Sequence, residues 1–244
     1  MTGHATSAIV TIGNEIVCGD VQNTNGAWLG KRLEQLGVSV RLQLAIRDEL
    51  EQIVSTLRPL SAAHDVVIVT GGLGGTPDDI TREALAATFG VGQAEHEPTA
   101  AVLRARFTRD PEYAARFANL PVGSRPLRNP LGGAPGFLIE NVYVLPGLPS
   151  EMEAMFDEVV AAELPGAGFA AIESWRRRWR TYESVIEGAL VEFERTHPGI
   201  GLGSYPSFHA SGAEVELVLK SRDPGALAAA AEWLERTVDD LVGR

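Results

Sequence analysis

The sequence contains a single cysteine, no zinc-ligand pattern and no long hydrophobic run, and each absence excludes a class of structure. Cys18 cannot form an internal disulfide, and because no histidine lies near it in the sequence we interpret it as a packed small residue, not a nucleophile. The five histidines show no spacing typical of zinc ligands. No apolar run approaches the length of a membrane span, and the first ten residues lack the pattern of a signal peptide. We therefore expect a cytoplasmic protein with no membrane partner.

Basic residues are outnumbered by acidic ones, 21 to 32, which gives a net charge of −11. This balance argues against a general nucleic-acid binder, whose affinity comes from neutralised phosphates. One segment, WRRRWR at residues 175–180, is a local exception. As a strand it would place Trp175, Arg177 and Trp179 on one face, either to stack on a single strand of nucleic acid or simply to bury tryptophans beneath solvated arginines. We favour the second interpretation and expect no nucleic-acid partner.

Residues 66–90, VVIVTGGLGGTPDDITREALAATFG, combine an apolar run with a glycine-rich turn and two adjacent carboxylates. The run 66–70 is typical of a strand covered on both faces in a parallel sheet. The glycines that follow allow positive φ and a close approach of the backbone to a ligand. Thr76 is predicted to be the N-cap of a helix that ends at Gly90. The pattern thus predicts a helix N-terminus beside the glycine turn, and such a terminus attracts phosphate.

Asp78 and Asp79 fall at this predicted helix start and have two explanations. They either complement the helix dipole or hold a divalent cation such as Mg²⁺ between themselves and a phosphate. The glycines in front of them favour the second explanation. The segment is neither a Walker A loop, since no Gly-Lys-Ser/Thr follows, nor a dinucleotide fingerprint, since Pro77 stands where its last glycine belongs.

Two other segments repeat the arrangement of a strand followed by a loop of small residues. Residues 7–36 predict a strand to Ile12, a loop and a helix, and residues 129–153 predict a loop, a strand over 142–145 and a helix with a capping box at Ser150. If the three strands are neighbours in one parallel sheet, their loops meet at its carboxyl edge, where such sheets bind ligands.

These segments resemble the MoCF (molybdopterin-binding) domain family, most closely the amino-terminal part of the CinA-type competence/damage-inducible proteins. The resemblance covers nearly the whole chain, and the matching segments are GNE at 13–15 with NTN at 23–25, TGGLGGTPDDIT at 70–81, NPLGGAPGF at 129–137 and LPGLPSEM at 145–152. It implies a doubly wound, mostly parallel α/β domain over residues 1–165 and a small α+β domain over 166–244. For the CinA-type branch it implies metal-dependent hydrolysis of ADP-ribose to AMP and ribose 5-phosphate. Related branches bind molybdopterin and adenylylate it.

The sequence departs from the family pattern at two positions. Gly75 stands where the CinA-type motif usually has proline, and Asn14 stands where many members have aspartate. Full-length CinA-type proteins also carry a nicotinamide-nucleotide deamidase domain, and because this chain stops at Arg244 we expect no deamidase activity.

Small residues at 165–168 predict the boundary between the two domains. The pattern beyond them predicts the order βαββα, similar to an RNA-binding KH unit but without its Gly-x-x-Gly clamp. We therefore interpret residues 166–244 as a structural or oligomerisation module and expect a homo-oligomer.

Three functions remain open from the sequence. The leading hypothesis is hydrolysis of the pyrophosphate of ADP-ribose or a related nucleotide with Mg²⁺, Co²⁺ or Mn²⁺; the others are molybdopterin binding with adenylyl transfer, and a non-catalytic ligand-binding or scaffold role. In the leading hypothesis Asp78 and Asp79 hold the metal, and Glu15 orients the attacking water or contacts a ribose. The other residues expected to contact the small-molecule ligand all lie in the three loops: Gly13, Asn14, Asn23, Asn25, Thr70, Gly71, Gly72, Leu73, Gly74, Thr76, Asn129, Gly132, Ala134, Pro135, Gly136, Gly147, Pro149 and Ser150.

Overall fold

A computed structural model of the chain describes residues 5–164, 172–210 and 212–243. The chain divides into two compact units, residues 1–169 and 170–244. The small-residue boundary predicted at 165–168 lies outside the described residues. None of the helices in the described ranges is both long and apolar enough to cross a lipid bilayer.

The first unit is an α/β domain built on a six-stranded sheet with the order β2-β1-β3-β8-β7-β6. Strands β2, β1, β3 and β8 run parallel, and β7 and β6 join them as antiparallel neighbours. A separate pair, β4 and β5, is antiparallel. The strands are β1 Thr6–Ile12, β2 Ser39–Ile46, β3 Val66–Thr70, β4 Gln93–Glu95, β5 Asn119–Pro121, β6 Arg125–Leu127, β7 Gly136–Ile139 and β8 Val142–Leu145. The helices are α1 Asn14–Cys18, α2 Thr24–Gln35, α3 Leu50–Ala63, α4 Thr81–Phe89, α5 Glu97–Arg106, α6 Pro111–Ala115 and α7 Pro149–Met155.

Two hydrophobic cores cover the two faces of this sheet, as the unbroken apolar strands predicted. Alternate residues of β1 divide between them: Val10 packs in one core with α3 and α4, and Ile9 packs in the other with α2 and α7. Each side chain as fully buried as these contributes about 1.5–3 kcal/mol to folding. The helices on both faces make the domain doubly wound, which confirms the predicted fold class.

The register of the parallel strands brings three loops to one edge. Ile12 at the end of β1 pairs with Ile46, Thr11 pairs with Thr70, and Thr70 pairs with Leu145. The carboxyl ends of β2, β1, β3 and β8 therefore lie in one row. The loops that follow them meet at this edge of the sheet, as expected from the sequence.

Two of the predicted helices differ from those observed. Helix α4 begins at Thr81, four residues later than the predicted first helical position Pro77, although its end at Gly90 is correct, with φ of 69°. The sequence also predicts a helix that carries Arg104, Arg106, Arg109 and Arg116. These arginines do not lie on one helix, because α5 ends at Arg106 and α6 begins at Pro111. Proline at 111 fixes its own φ and cannot donate a backbone hydrogen bond, so a helix arriving from the amino side stops before it.

The second unit has the predicted order βαββα. Its antiparallel sheet has the order β10-β11-β9, and the strand β11 in the centre pairs with both neighbours over most of its length. One core joins this sheet to the two helices. The elements are β9 Glu173–Trp179, α8 Glu183–Thr196, β10 Gly201–His209, β11 Gly212–Ser221 and α9 Pro224–Val242.

Two arginines of β9, Arg177 and Arg178, are paired with carboxylates. Arg177 forms ion pairs with Glu235 and Asp239 of α9, and the indole N–H of Trp179 donates to Asp239 at 2.7 Å. Arg178 lies 3.1 Å from Glu216 on the neighbouring strand. Trp179 is buried in the core. These contacts favour the interpretation of an ordinary strand, and the absence of a nucleic-acid partner stays a prediction.

Candidate functional site

A cavity of about 460 Å³ lies at the carboxyl ends of β1, β3 and β8. Its wall is formed by the loop after β1, by residues 71–80 after β3, hereafter the glycine loop, and by the turn that leads from β8 into α7. Five carboxylates line it: Glu15, Asp48, Asp78, Asp79 and Glu151. Among the described residues of the wall there is no lysine, arginine or histidine. An anionic ligand would therefore meet repulsion here unless a cation accompanied it.

The sharp turn out of β3 depends on two glycines with positive φ. Gly71 has φ of 109° and Gly72 has φ of 65°. A Cβ atom on Gly71 would overlap the backbone carbonyl of Ile12, and one on Gly72 would overlap the Thr81 hydroxyl. The expectation of positive φ is wrong for Gly74, whose φ lies outside that region. Gly74 is required for another reason, because a Cβ there would meet the carboxylate of Asp79.

Asp79 closes the glycine loop on itself. Its two oxygens accept from the backbone N–H groups of Gly74 and Thr76, both at 2.9 Å. The Asp79 N–H in turn donates to the Thr76 carbonyl at 3.1 Å. This local turn explains why α4 starts late, since Thr76 caps a turn and not the helix. Asp78 and Asp79 therefore precede the N-cap of α4 and do not lie in its first turn.

Asp78 is freer than its neighbour. It is exposed, and its Oδ1 lies 2.5 Å from the Thr76 hydroxyl. That hydrogen bond holds the pKa of Asp78 below its usual value. Asp78 is therefore ionised at neutral pH and available to a cation in the cavity.

The strands on either side of the cavity are linked through Asn25. Its amide donates to the Thr70 hydroxyl at 3.1 Å and to the Gly147 carbonyl at 2.9 Å, and the Thr70 hydroxyl donates to the Pro146 carbonyl at 2.7 Å. Asn23 accepts from the N–H of Gly26 and so caps α2. Asn25 thus joins the loop after β1 to β3 and to the turn after β8, and Asn23 fixes the start of α2.

Asp48, which was not predicted from the sequence, also lies in the wall. Its Oδ2 accepts from the backbone N–H of Asn14 at 2.8 Å. Burial raises the pKa of Asp48, and the negative charges of Glu15 and Asp78 raise it further. Three carboxylates from three segments of the chain therefore converge closely enough to repel one another. A signal was available, since Asp48 follows the end of β2 as closely as Glu15 follows the end of β1.

Asp48→Asn is expected to stabilise the protein at pH 7. Because the pKa of Asp48 in the folded state exceeds its ordinary value of 3.8, ionisation costs stability above that pKa, and asparagine removes the cost while it still accepts from Asn14. We expect Tm to rise by about 1–2 °C at pH 7, with the gain lost as the pH falls through the folded pKa towards 3.8. Thermal denaturation of both proteins between about pH 4 and 8 measures the difference in Tm, since this range begins near the ordinary carboxyl pKa. A variant that is less stable than the wild type at pH 7 contradicts the prediction.

The loop at 129–136 contributes Ala134 to the wall and contacts a second wall residue, Glu151 of α7. The Asn129 amide donates to the Ala134 carbonyl and to Glu151, both at 3.0 Å. Glu151 was not predicted from the sequence. The predicted capping box was wrong, because α7 has Leu148 as its N-cap and Pro149 at its first position, which leaves Ser150 inside the helix.

The predicted site residues divide between the wall of the cavity and its surroundings. Asn14, Thr76 and Asn129 stand behind the wall and hold Asp48, Asp79 and Glu151 respectively. Gly132, Pro135, Gly136 and Ser150 are also outside the wall. The predicted residues that line it are Gly13, Glu15, Asn23, Asn25, Thr70, Gly71, Gly72, Leu73, Gly74, Asp78, Asp79, Ala134, Gly147 and Pro149.

The structure explains why glycine, and not the proline usual in the family, stands at position 75. A Cβ on Gly75 would fall on the ring and hydroxyl of Tyr113. Tyr113 therefore occupies the space into which a proline ring would project. The other departure, Asn14, places its side-chain oxygen 3.4 Å from Arg47, outside the wall of the cavity.

The carboxylates of the wall suit a hard divalent cation that is also coordinated by the phosphate of a bound substrate. In the described part of the chain, no three His, Cys, Asp or Glu side chains are arranged as a preformed metal site. Mg²⁺ does not need one, since it is commonly bound by one or two carboxylates together with substrate phosphates. Burial raises the pKa of Asp48 most, and the charges of Glu15 and Asp78 add to the shift; a cation in the cavity would relieve this second contribution.

Comparison with known protein families places both units. Residues 8–166 match the family described as "Probable molybdopterin binding domain", and residues 178–242 match "FAD synthase, middle domain". Among solved structures, the protein CinA from Thermoplasma acidophilum is 32% identical with a TM-score of 0.62; the match covers 66% of this chain and 99% of that one.

Two relatives extend the similarity along the chain. A protein from Pyrobaculum calidifontis is 37% identical over 96% of this chain and 92% of its own length. A CinA-like protein from Frankia casuarinae is 36% identical over 88% of this chain. The match spans only 54% of the length of the Frankia protein.

Proposed function

Because the chain belongs to the MoCF family of molybdopterin-binding domains, in the branch of the CinA-like proteins, we propose that its cavity binds a nucleotide with a divalent cation and hydrolyses the nucleotide's pyrophosphate. The proposed substrate is ADP-ribose or a related nucleotide. Water adds to one phosphorus atom, the bridging P–O bond breaks, and the products are AMP and ribose 5-phosphate.

The observation that carries this proposal is the composition of the cavity wall. Backbone N–H groups of the glycine loop suit phosphate oxygens, yet the side chains around them are carboxylates without a neighbouring cationic residue in the described wall. A phosphate and five carboxylates are compatible only if a divalent cation offsets their charges. A metal-dependent reaction at phosphate makes use of both the backbone N–H groups and the carboxylates of the wall.

The residues have separate roles in this proposal. Asp78 is the better metal ligand of the predicted pair, because both oxygens of Asp79 already accept backbone hydrogen bonds. Bound Mg²⁺ would supply charge neutralisation of the phosphate oxygens as the bond to the leaving group breaks. Glu15 and Asp48 flank Asp78 and are placed to accept a proton from the attacking water. The Gly72 and Leu73 amides would bind the phosphate oxygens.

The test is incubation of the purified chain with ADP-ribose and MgCl₂ or CoCl₂, followed by chromatographic detection of AMP. We expect AMP to accumulate with either metal and its rate to fall at least about a hundredfold in EDTA. Equal rates with and without EDTA would refute the metal role.

A second candidate function is binding or adenylylation of molybdopterin. The description of the family that matches residues 8–166 favours it, and the phosphate of molybdopterin would use the same glycine loop. Tight binding of molybdopterin with no AMP formed from ADP-ribose would support this function over the first. A chain that binds neither compound would be a scaffold.

A further inference from the structure

The glycine loop is held from behind by the first two residues of α4. The Thr81 hydroxyl donates to the Gly71 carbonyl at 2.9 Å, and the Thr81 N–H donates to the Gly72 carbonyl at 3.3 Å. The Arg82 guanidinium donates to the next two carbonyls, those of Leu73 at 2.9 Å and Gly74 at 2.7 Å. Four consecutive carbonyls therefore point towards α4.

This arrangement fixes the direction of the N–H groups. In a trans peptide the C=O and the following N–H point to opposite sides. The N–H groups of Gly72 and Leu73 therefore point away from α4, and both residues line the cavity. Within the described chain, neither N–H has a hydrogen-bond acceptor. The N–H of Gly74 differs, because Asp79 accepts from it.

Arg82 adds a positive charge to the same side of the loop. It is only 6% exposed, and it forms no ion pair with a carboxylate of the described residues. Burial lowers its pKa, although Arg82 remains a cation at neutral pH. The two carbonyls that it contacts belong to the peptides of the Gly74 and Gly75 N–H groups, so Arg82 holds the part of the loop that directly follows the free Gly72 and Leu73 amides. It also adds a positive charge behind this part of the loop.

We propose that Thr81 and Arg82 are positioning residues, which hold the glycine loop so that the Gly72 and Leu73 amides bind an anionic phosphate oxygen. This inference rests on the proposed function for the presence of phosphate in the cavity. It adds that the cationic contribution to phosphate binding comes from behind the loop and not from a side chain in the wall. Lysine cannot replace Arg82, because a point charge cannot donate to both carbonyls in the fork geometry of a guanidinium.

Helix α4 offers a matched control for each residue. Thr88 is a buried threonine of α4 whose hydroxyl donates to the Ala84 carbonyl at 2.7 Å. Arg58 of α3 donates to two successive carbonyls of α4, those of Ala87 and Thr88, at the end of α4 opposite to Arg82. Thr88→Val and Arg58→Lys therefore remove the same kinds of contact away from the cavity.

The experiment is a titration of the ¹⁵N-labelled full chain with inorganic pyrophosphate and MgCl₂, followed by amide NMR. In the wild type we expect the Gly72 and Leu73 resonances to shift. Thr81→Val and Arg82→Lys should each weaken binding at least about fivefold, and the two control variants should stay within about twofold of the wild type. Thr81→Ser, which keeps the hydroxyl, should bind pyrophosphate with nearly the affinity of the wild type. The comparison of Thr81→Ser with Thr81→Val tests the inference even if Arg82→Lys does not fold.

Two results would overturn the inference. One is wild-type binding of pyrophosphate that leaves the Gly72 and Leu73 resonances unmoved. The other is equal binding by Thr81→Val and Thr88→Val at similar thermal stability. Failure of the proposed function gives a different result, in which these resonances shift with pyrophosphate but ADP-ribose yields no AMP.

Discussion

Asp78→Asn is expected to lower the rate of ADP-ribose hydrolysis at least about a hundredfold, with no loss of the fold. The side chain is exposed and its contact within the loop is the hydrogen bond from Thr76, which the amide oxygen of asparagine also accepts. Asparagine removes the negative charge that would hold the cation. Steady-state AMP formation at several Mg²⁺ concentrations measures the effect, and the Mg²⁺ requirement should rise together with the loss of rate.

Asp20→Asn is the control for this substitution. Asp20 is also exposed and lies outside the wall of the cavity, so its replacement changes the net charge equally without altering a wall residue. Its rate should remain within about twofold of the wild type. The metal role of Asp78 is refuted if a well-folded Asp78→Asn protein matches Asp20→Asn in rate and in Mg²⁺ dependence.

Gly71→Ala is expected to destabilise the protein by at least about 3 kcal/mol, since a φ of 109° is strained for alanine and the new Cβ would overlap the Ile12 carbonyl. That carbonyl is backbone in the central strand and cannot rotate away. Tm should fall by roughly 6–12 °C. Pyrophosphate affinity should fall as well, because the turn that carries the free amides is displaced with the strand. Differential scanning calorimetry measures the loss of stability, and pyrophosphate titration below Tm measures the loss of affinity.

Two other glycines separate the causes of this effect. Gly90→Ala places alanine at φ of 69° in open space, so it should cost only the conformational strain of about 1–2 kcal/mol. Gly92→Ala has neither positive φ nor a neighbour near its Cβ, and a change below about 1 kcal/mol is expected. If Gly71→Ala costs no more than Gly90→Ala, the close approach to Ile12 is not a constraint.

The parts of the fold that the sequence predicted correctly are those fixed by buried apolar runs. Val66–Thr70 is β-branched or small throughout and buried at every position, so no alternative face or period competes with a central strand. The row of loops at the carboxyl edge follows from parallel pairing alone. The same logic located Asp78 and Glu15 in the wall of one cavity although they are far apart in the chain.

The predictions that were wrong or missing concern polar residues whose hydrogen-bond partners cannot be read from the periodicity of a helix or a strand. Thr76 and Asp79 have the spacing of a capping box, yet they form a separate turn because the carboxylate accepts from the Gly74 N–H as well. Asp48 follows β2, whose apolar residues alternate along the strand, so its place at this edge was predictable but its contacts were not. Its hydrogen bond to Asn14 spans 34 residues and has no local signature. The hydrogen bonds of Arg82 to the Leu73 and Gly74 carbonyls likewise have no local signature in the sequence.

The pairing of Thr11 with Thr70, and of Thr70 with Leu145, also sets an order of events during synthesis. Parallel strands close long loops before any of their contacts form, which makes such sheets slow to assemble. A nascent chain that ends before β8 has the glycine loop but lacks the Gly147 carbonyl that joins Asn25 to the far side of the cavity. Ligand binding therefore cannot assist the early stages of folding, and it can stabilise the domain only after the ribosome has passed the third loop.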